Sequence, residues 1–212
     1  MRGSIAALLL LAASAQAGEA VKIPPSAKTV HLQGEIAFPL EMKFTAELLQ
    51  HEDEPGPYYL VVESEGGYTE AGRHIITVME ALKSAGQRFI CFVDKGGAHS
   101  MAFNILSHCD ERYAHPKARF LVHKTRYLEF RGYMMTAERL RAAADHIADD
   151  DKAFDPVNAA AMHLSSKDFD RYADQETTWS AKTLIKRGYL KGYVNFYASP
   201  NQFVGPPAPE RR

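Results

Sequence analysis

Excess charge of either sign is missing from this chain. Its 25 Lys and Arg stand against 26 Asp and Glu, for a formal net charge of −1. That balance argues against a broad basic face of the kind that non-specific nucleic-acid binding requires. Cysteine is scarce, with only Cys91 and Cys109 present, too few for a scaffold built on disulfides. Cys91 sits in an apolar run and Cys109 closes the next helix-like stretch, so a bridge and two buried thiols are both open. Compact metal-ligand spacing is also lacking. His99, His108, Cys109, Asp110 and His115 fit no zinc pattern, and the run Asp149-Asp150-Asp151 reads as a solvated helix end rather than a calcium loop. Neither a metal nor another cofactor is expected.

Long apolar runs are absent too. The N-terminal one, Ile5 to Ala13, falls short of the ~20 residues that a membrane-spanning helix needs. What stands there instead is a targeting pattern: Arg2, a centre of four leucines from Leu8 to Leu11, and Ala15-Gln16-Ala17 as a small-x-small cleavage site. Residues 1–17 are therefore expected to be a signal peptide cleaved near Ala17, with the protein exported to a periplasm or secreted. Removing seventeen residues from 212 leaves 195, a length that suits one domain. Residues 18–197 are expected to form it. The proline-rich end, residues 198–212, reads as a flexible tail.

Hydrophobic residues make up 46% of the chain, enough for a sizeable core. Their order has the rhythm of an α/β protein. Thr29 to Ile36 alternates as a strand, and Phe44 to Leu49 reads as a short amphipathic helix. Tyr58 to Val62 is a buried strand, followed by a turn at Gly66-Gly67 and a helix from Ala71 to Ala85. Arg88 to Val93 repeats the pattern, with a turn at Gly96-Gly97 and a helix from about Ser100 to Cys109. Two short strands follow, Glu111 to Ala114 and Arg119 to His123. Thr136 caps a long helix on which Leu140, Ala144, Ile147 and Asp151 trace one face. Ser165 to Asp168 has the form of a capping box, Ser180 to Lys186 is a last helix, and Gly192 to Tyr197 adds a strand.

Three features share the strand ends, where parallel sheets build their sites. Ser64-Glu65-Gly66-Gly67 is a glycine turn whose backbone N–H groups can face a ligand. Ser100 opens an apolar helix, where unpaired N–H groups favour developing negative charge. A serine at that place serves most often as a simple N-cap. His123 ends the strand Arg119-Phe120-Leu121-Val122 and can act as a base near neutrality.

From Val30 to Tyr193 the sequence resembles the Clp-type serine peptidases. The carriers are YYLVVESEGGYTEAG (Tyr58 to Gly72), GGAHSMAFNIL (Gly96 to Leu106), RFLVHK (Arg119 to Lys124) and WSAKTLIKRGYL (Trp179 to Leu190). The resemblance implies a crotonase-like α/β fold of repeated ββα units with a protruding long helix. It implies Ser100 as nucleophile, His123 as base, and Gly67 and Met101 as donors of the oxyanion N–H groups. It also implies a homo-oligomer acting on peptides or unfolded proteins. The charge balance and the lack of a long apolar run imply no nucleic-acid partner and no membrane span after signal cleavage. Two departures stand out. Glu65 occupies the family's proline position in the glycine turn, and an ungapped count back from Ser180-Ala181 sets the family's aspartate on Tyr172. Asp174 is the expected acid, with Asp170 as the alternative. The chain thus reads as an exported serine-type endopeptidase working through an acyl-enzyme. The competing reading, motivated by Tyr172 and Glu65, is a non-catalytic peptide-binding or scaffold protein on the same fold.

Overall fold

The structure, a computed structural model, describes residues 28–126, 136–196 and 203–204. The expected signal peptide and most of the proline-rich tail lie outside the described residues.

The chain runs β1 (Lys28–Gln33), α1 (Phe38–Gln50), β2 (Tyr58–Ser64), α2 (Thr69–Ser84), β3 (Phe89–His99) and α3 (Met101–Ser107). It continues with β4 (Glu111–Ala114), β5 (Arg119–Leu121), α4 (Ala137–Ala161), α5 (Ser166–Asp174), β6 (Thr178–Ser180) and α6 (Ala181–Lys186). Three two-residue strands close it: β7 (Gly192–Tyr193), β8 (Asn195–Phe196) and β9 (Phe203–Val204). The main sheet has the order β1-β2-β3-β4-β7, all parallel. β5 leaves that path, pairing in parallel with the far end of β3 and antiparallel with β6. The expectation of an α/β fold around a parallel sheet with a long helix is met.

β2 is buried along nearly its whole length because both faces of the sheet are covered. Tyr58, Leu60 and Val62 face the helices and join the large core. Tyr59 faces the other way, where it stacks on Phe92, which in turn stacks on Tyr113. On α2, the residues Ile75, Ile76, Met79 and Leu82 form the buried stripe that their spacing predicts. Each such side chain contributes about 1.5–3 kcal/mol when fully buried. Cys91 in β3 and Cys109 after α3 form a disulfide, with Cα atoms 6.1 Å apart. The bridge ties the central strand to the end of the helix that follows it.

Two expectations need correction. β3 does not stop at Val93; it runs through Gly96 and Gly97 to His99, and its second half pairs with β5. Stretched in this way, one strand delivers both the core and the residue before Ser100. The second correction concerns α4. Leu140 is 55% exposed, and Ala144 is exposed as well. The buried side of α4 is Asp150, Phe154, Asn158 and Ala159. The N-terminal half of the helix is mostly exposed, with Ile147 half-buried on the cavity lining, and full burial begins at Asp150.

Candidate active site

The nucleophile position is built by three strand ends. Ser100 follows β3 directly, its N–H donates to Leu121 O of β5 at 2.9 Å, and α3 begins at the next residue. Its backbone has φ 52° and ψ −121°, a conformation that costs a non-glycine residue about 1–3 kcal/mol. The Ser100 hydroxyl makes no capping hydrogen bond to α3. The ordinary N-cap role is therefore not what this serine performs, and its strained turn is held by β5 on one side and by the glycine turn on the other.

That glycine turn lies directly against Ser100. A Cβ on Gly66 would stand 2.8 Å from Ser100 Cβ and 3.0 Å from Met101 N. Only glycine tolerates this approach, and its φ of +93° excludes ordinary side chains independently. Buried Ser64 shapes the turn: its hydroxyl donates to Gly34 O at 2.6 Å and accepts from Gly66 N at 3.1 Å. The N–H groups of Gly67 and Met101 make no hydrogen bond among the described residues. Gly67, Met101, Ser100 and His123 line one cavity of about 650 Å³, which extends to α4.

His123 is half-buried two residues beyond β5. Its Nδ1 lies 2.7 Å from Lys124 O. A carbonyl only accepts, so Nδ1 carries the proton and Nε2 is left with its lone pair. This is the tautomer a general base needs. No hydrogen bond joins His123 to Ser100 among the described residues, although both line the same cavity.

The acid positions are spread apart. Asp170 forms an ion pair with Lys124 Nζ. Asp174 is the exposed last residue of α5, with no hydrogen bond or ion pair among the described residues. Neither contacts His123. The strand register points instead to a residue that sequence reading missed. β5 and β6 pair Arg119 with Ser180, Phe120 with Trp179 and Leu121 with Thr178. The ladder continues, since Val122 N donates to Thr177 O at 3.1 Å. There the ladder ends, because Thr177 N turns back to Tyr172 O and Glu176 has φ 49° at the close of α5. Glu176 thus adjoins the residue that pairs with Val122, and its carboxylate is paired with Arg126. The available signal was a carboxylate two residues ahead of the short strand that precedes Ser180-Ala181.

The far wall of the cavity corrects the reading of Asp149-Asp150-Asp151 as a solvated helix end: Asp149 is exposed, but Asp150 and Asp151 face inward. The Asp150 side chain is 1% exposed, and its Oδ1 accepts from Arg73 Nε at 2.8 Å. Asp151 accepts from Thr125 N at 3.0 Å. The reason is that α4 packs on α3 and α5 from Asp150 onward, which turns this stretch inward. Lys124 answers it, with Nζ 2.8 Å from Asp155 and 3.7 Å from Asp151, besides its pair with Asp170. Burial alone would lower the Lys124 ammonium. Hydrogen bonds to Asp155 and Asp170 and the charges of Asp155 and Asp151 outweigh it, and hold the group above its ordinary value. Asp155 also lies above its ordinary value, first because it is buried and then because Asp151 and Asp170 repel its charge, while Lys124 only partly offsets this. The carboxylates thus raise Lys124, whereas burial is the main cause at Asp155. Among the described residues, no group of three or more His, Cys, Asp or Glu is placed to hold a metal ion, and no helix is long and apolar enough to cross a membrane.

Comparison with known proteins agrees with this geometry in one respect. No curated protein matches the chain, but the family model described as Clp protease matches residues 21–192.

Proposed function

The chain belongs to the Clp protease family, and from that premise we propose that it is an exported serine peptidase with Ser100 as nucleophile and His123 as base. The observation that carries this reading is the junction of the Gly66-Gly67 turn with the strained turn at Ser100, which leaves two backbone N–H groups beside the hydroxyl. Ser100 Oγ attacks the peptide carbonyl carbon while its proton passes to His123 Nε2. The carbonyl oxygen takes up the negative charge and accepts hydrogen bonds from Gly67 and Met101, each such donor being worth about 3–4 kcal/mol of barrier. The C–N bond then breaks, His123 returns the proton to the leaving amine, and water hydrolyses the acyl-enzyme by the same route.

We assign the orienting acid to Glu176. The Val122–Thr177 hydrogen bond, which brings the residue after Glu176 beside the residue before His123, supports it over Asp174, which stands at an exposed helix end, and over Asp170, which is engaged by Lys124. The Lys124 carbonyl holds the His123 tautomer while Glu176 rests on Arg126. Export is supported by the Cys91–Cys109 disulfide, since such bonds persist in oxidising compartments. A homo-oligomer fits the exposed N-terminal half of α4, with peptides or unfolded proteins as substrates.

The non-catalytic reading has one observation in its favour, namely that His123 rests on a backbone carbonyl rather than a carboxylate. Incubation of the purified protein with an unfolded protein substrate, analysed by mass spectrometry, separates the two. The peptidase reading expects cleavage products that vanish in Ser100→Ala. Intact substrate in the presence of folded, assembled protein favours a binding or scaffold role.

A further inference from the structure

We infer that the cavity beside Ser100 takes a lysine or arginine side chain of the substrate, at the residue whose carbonyl is attacked. This rests on the peptidase reading and names its substrate class. The cavity has the two parts that such a side chain needs. Part of its wall is apolar, with Met101, Val122 and Phe154 able to cover the methylene stem. Another part is acidic, where α4 presents Asp150, Asp151 and Asp155.

An acidic cluster alone would say little, because its members could satisfy one another through lysines and arginines. Here two buried acceptors on the same wall have no hydrogen bond: Asp150 Oδ2 and Asn158 Oδ1. Asn158 is 2% exposed, and its amide nitrogen is already committed to Asn104 Oδ1 at 2.8 Å. His146 Nε2, also on the cavity lining, stands 3.9 Å from Asp150 Oδ2, beyond hydrogen-bonding distance. Both orphans are acceptors, so a ligand that completes them must donate. An ammonium or guanidinium donates several hydrogen bonds and accepts none.

The charge balance points the same way. Each cation near the cavity is engaged: Arg73 by Asp150, Arg126 by Glu176, and Lys124 by three carboxylates. Glu35 and Glu70 add two more carboxylates to the lining. A second cavity of about 480 Å³ adjoins through Glu35 and Gly67, and it carries Glu63 and Glu65. A substrate strand entering along the glycine turn therefore passes an acidic surface before it reaches Ser100. Glu65, in place of the family's proline, belongs to that surface.

The test is a panel of fluorogenic peptides identical except at the residue before the cleaved bond, which is Lys, Arg, norleucine, Leu or Glu. Lys and Arg should exceed norleucine in kcat/KM by about tenfold or more, the range of hydrogen bonds to charged groups. Asp150→Asn should shrink that ratio toward one. Equal or faster cleavage after norleucine or Leu overturns the inference. A catalysis-free arm uses Ser100→Ala protein and calorimetric titration with benzamidine against its neutral isostere benzamide. Tighter binding of benzamidine supports the inference, and equal binding overturns it, whether or not any peptide is cut. A protein that cleaves norleucine peptides best, yet loses activity in Ser100→Ala, keeps the peptidase reading and loses the basic subsite. A protein that cuts nothing but prefers benzamidine loses the peptidase reading and keeps the cation site.

Discussion

The two halves of the candidate site are held by different physics. On the nucleophile side, Ser100 sits between β3, β5 and the glycine turn, all packed on a core stapled by the Cys91–Cys109 disulfide. On the acid side, His123 is followed by residues held chiefly through ion pairs: Lys124 with three aspartates and Arg126 with Glu176. Arg126 and Glu176 are 57% and 59% exposed in their side chains, where a pair contributes little. Packing therefore fixes the turn at Gly66 and Ser100, while His123 is held by the Lys124 carbonyl and the residues after it by charges. A site of this kind keeps its nucleophile geometry when perturbed and tunes its activity through the other half.

The sharpest way to break that contrast is the acid side itself. Glu176→Gln should lower kcat/KM by about 10²–10⁴-fold, as loss of an orienting acid does elsewhere, whereas Asp174→Asn should stay within about twofold of wild type by the same argument. Peptide hydrolysis at fixed pH reads both, and the reverse ranking would return the acid to α5. Gly66→Ala attacks the packed half. A new Cβ at 2.7 Å from His99 O and 2.8 Å from Ser100 Cβ must displace the oxyanion turn. Activity should fall by about 10²–10³-fold, the value of one oxyanion donor, with circular dichroism checking that the fold persists.

Replacing both cysteines by alanine tests the staple. The loss expected for a loop of this size is about 3 kcal/mol by chemical denaturation, with the probe reactivity of the surviving folded protein unchanged. Arg126→Gln goes the other way. Freeing Glu176 from its competing partner should raise kcat/KM by about two- to fivefold, given how little an exposed pair holds, and added salt should mimic the variant. A fall instead would mean that Arg126 positions Glu176 rather than competing for it.

The smallest effects distinguish the halves by pH. Glu111, the first residue of β4, is half-buried, which alone would raise it. Hydrogen bonds from Tyr113, Lys191 and Arg88, with the charge of Lys191, bring it below its ordinary 4.5. Its stabilising contribution is present above that value and is lost as pH falls through the folded value. Lys124 has the opposite sign. Its contribution is complete below the ordinary 10.5 and is lost as pH rises through the higher folded value. Melting curves should show Glu111→Gln flattening the acid limb and Lys124→Met flattening the alkaline one, each by about 1 kcal/mol or less.

The same division decides what could be read from the sequence. The packed half is written in local chemistry: alternating apolar strands, Gly66-Gly67 after one of them, and Ser100 after the next. Ser165 and Ser180 also cap the helices that their spacing announced, each accepting from the N–H three residues on. The charged half depends on pairing between distant segments. The segment next to Glu176 reaches the residue before His123 through the Val122–Thr177 hydrogen bond, which no linear count along α5 could supply. Asp150 looked solvated because three aspartates in a row are polar in isolation. Its burial follows from where α4 meets α3, a tertiary fact. The disulfide was legible as a possibility in the two cysteines and became definite only when β3 and the end of α3 were brought together.

The central claim is an activated serine, and the most direct measurement is labelling with a fluorophosphonate probe, with the adduct mapped by peptide mass spectrometry. The account predicts one adduct, on Ser100, that disappears in His123→Ala and slows in Glu176→Gln. A folded, assembled protein that takes up no probe, or takes it up on another serine, would contradict it.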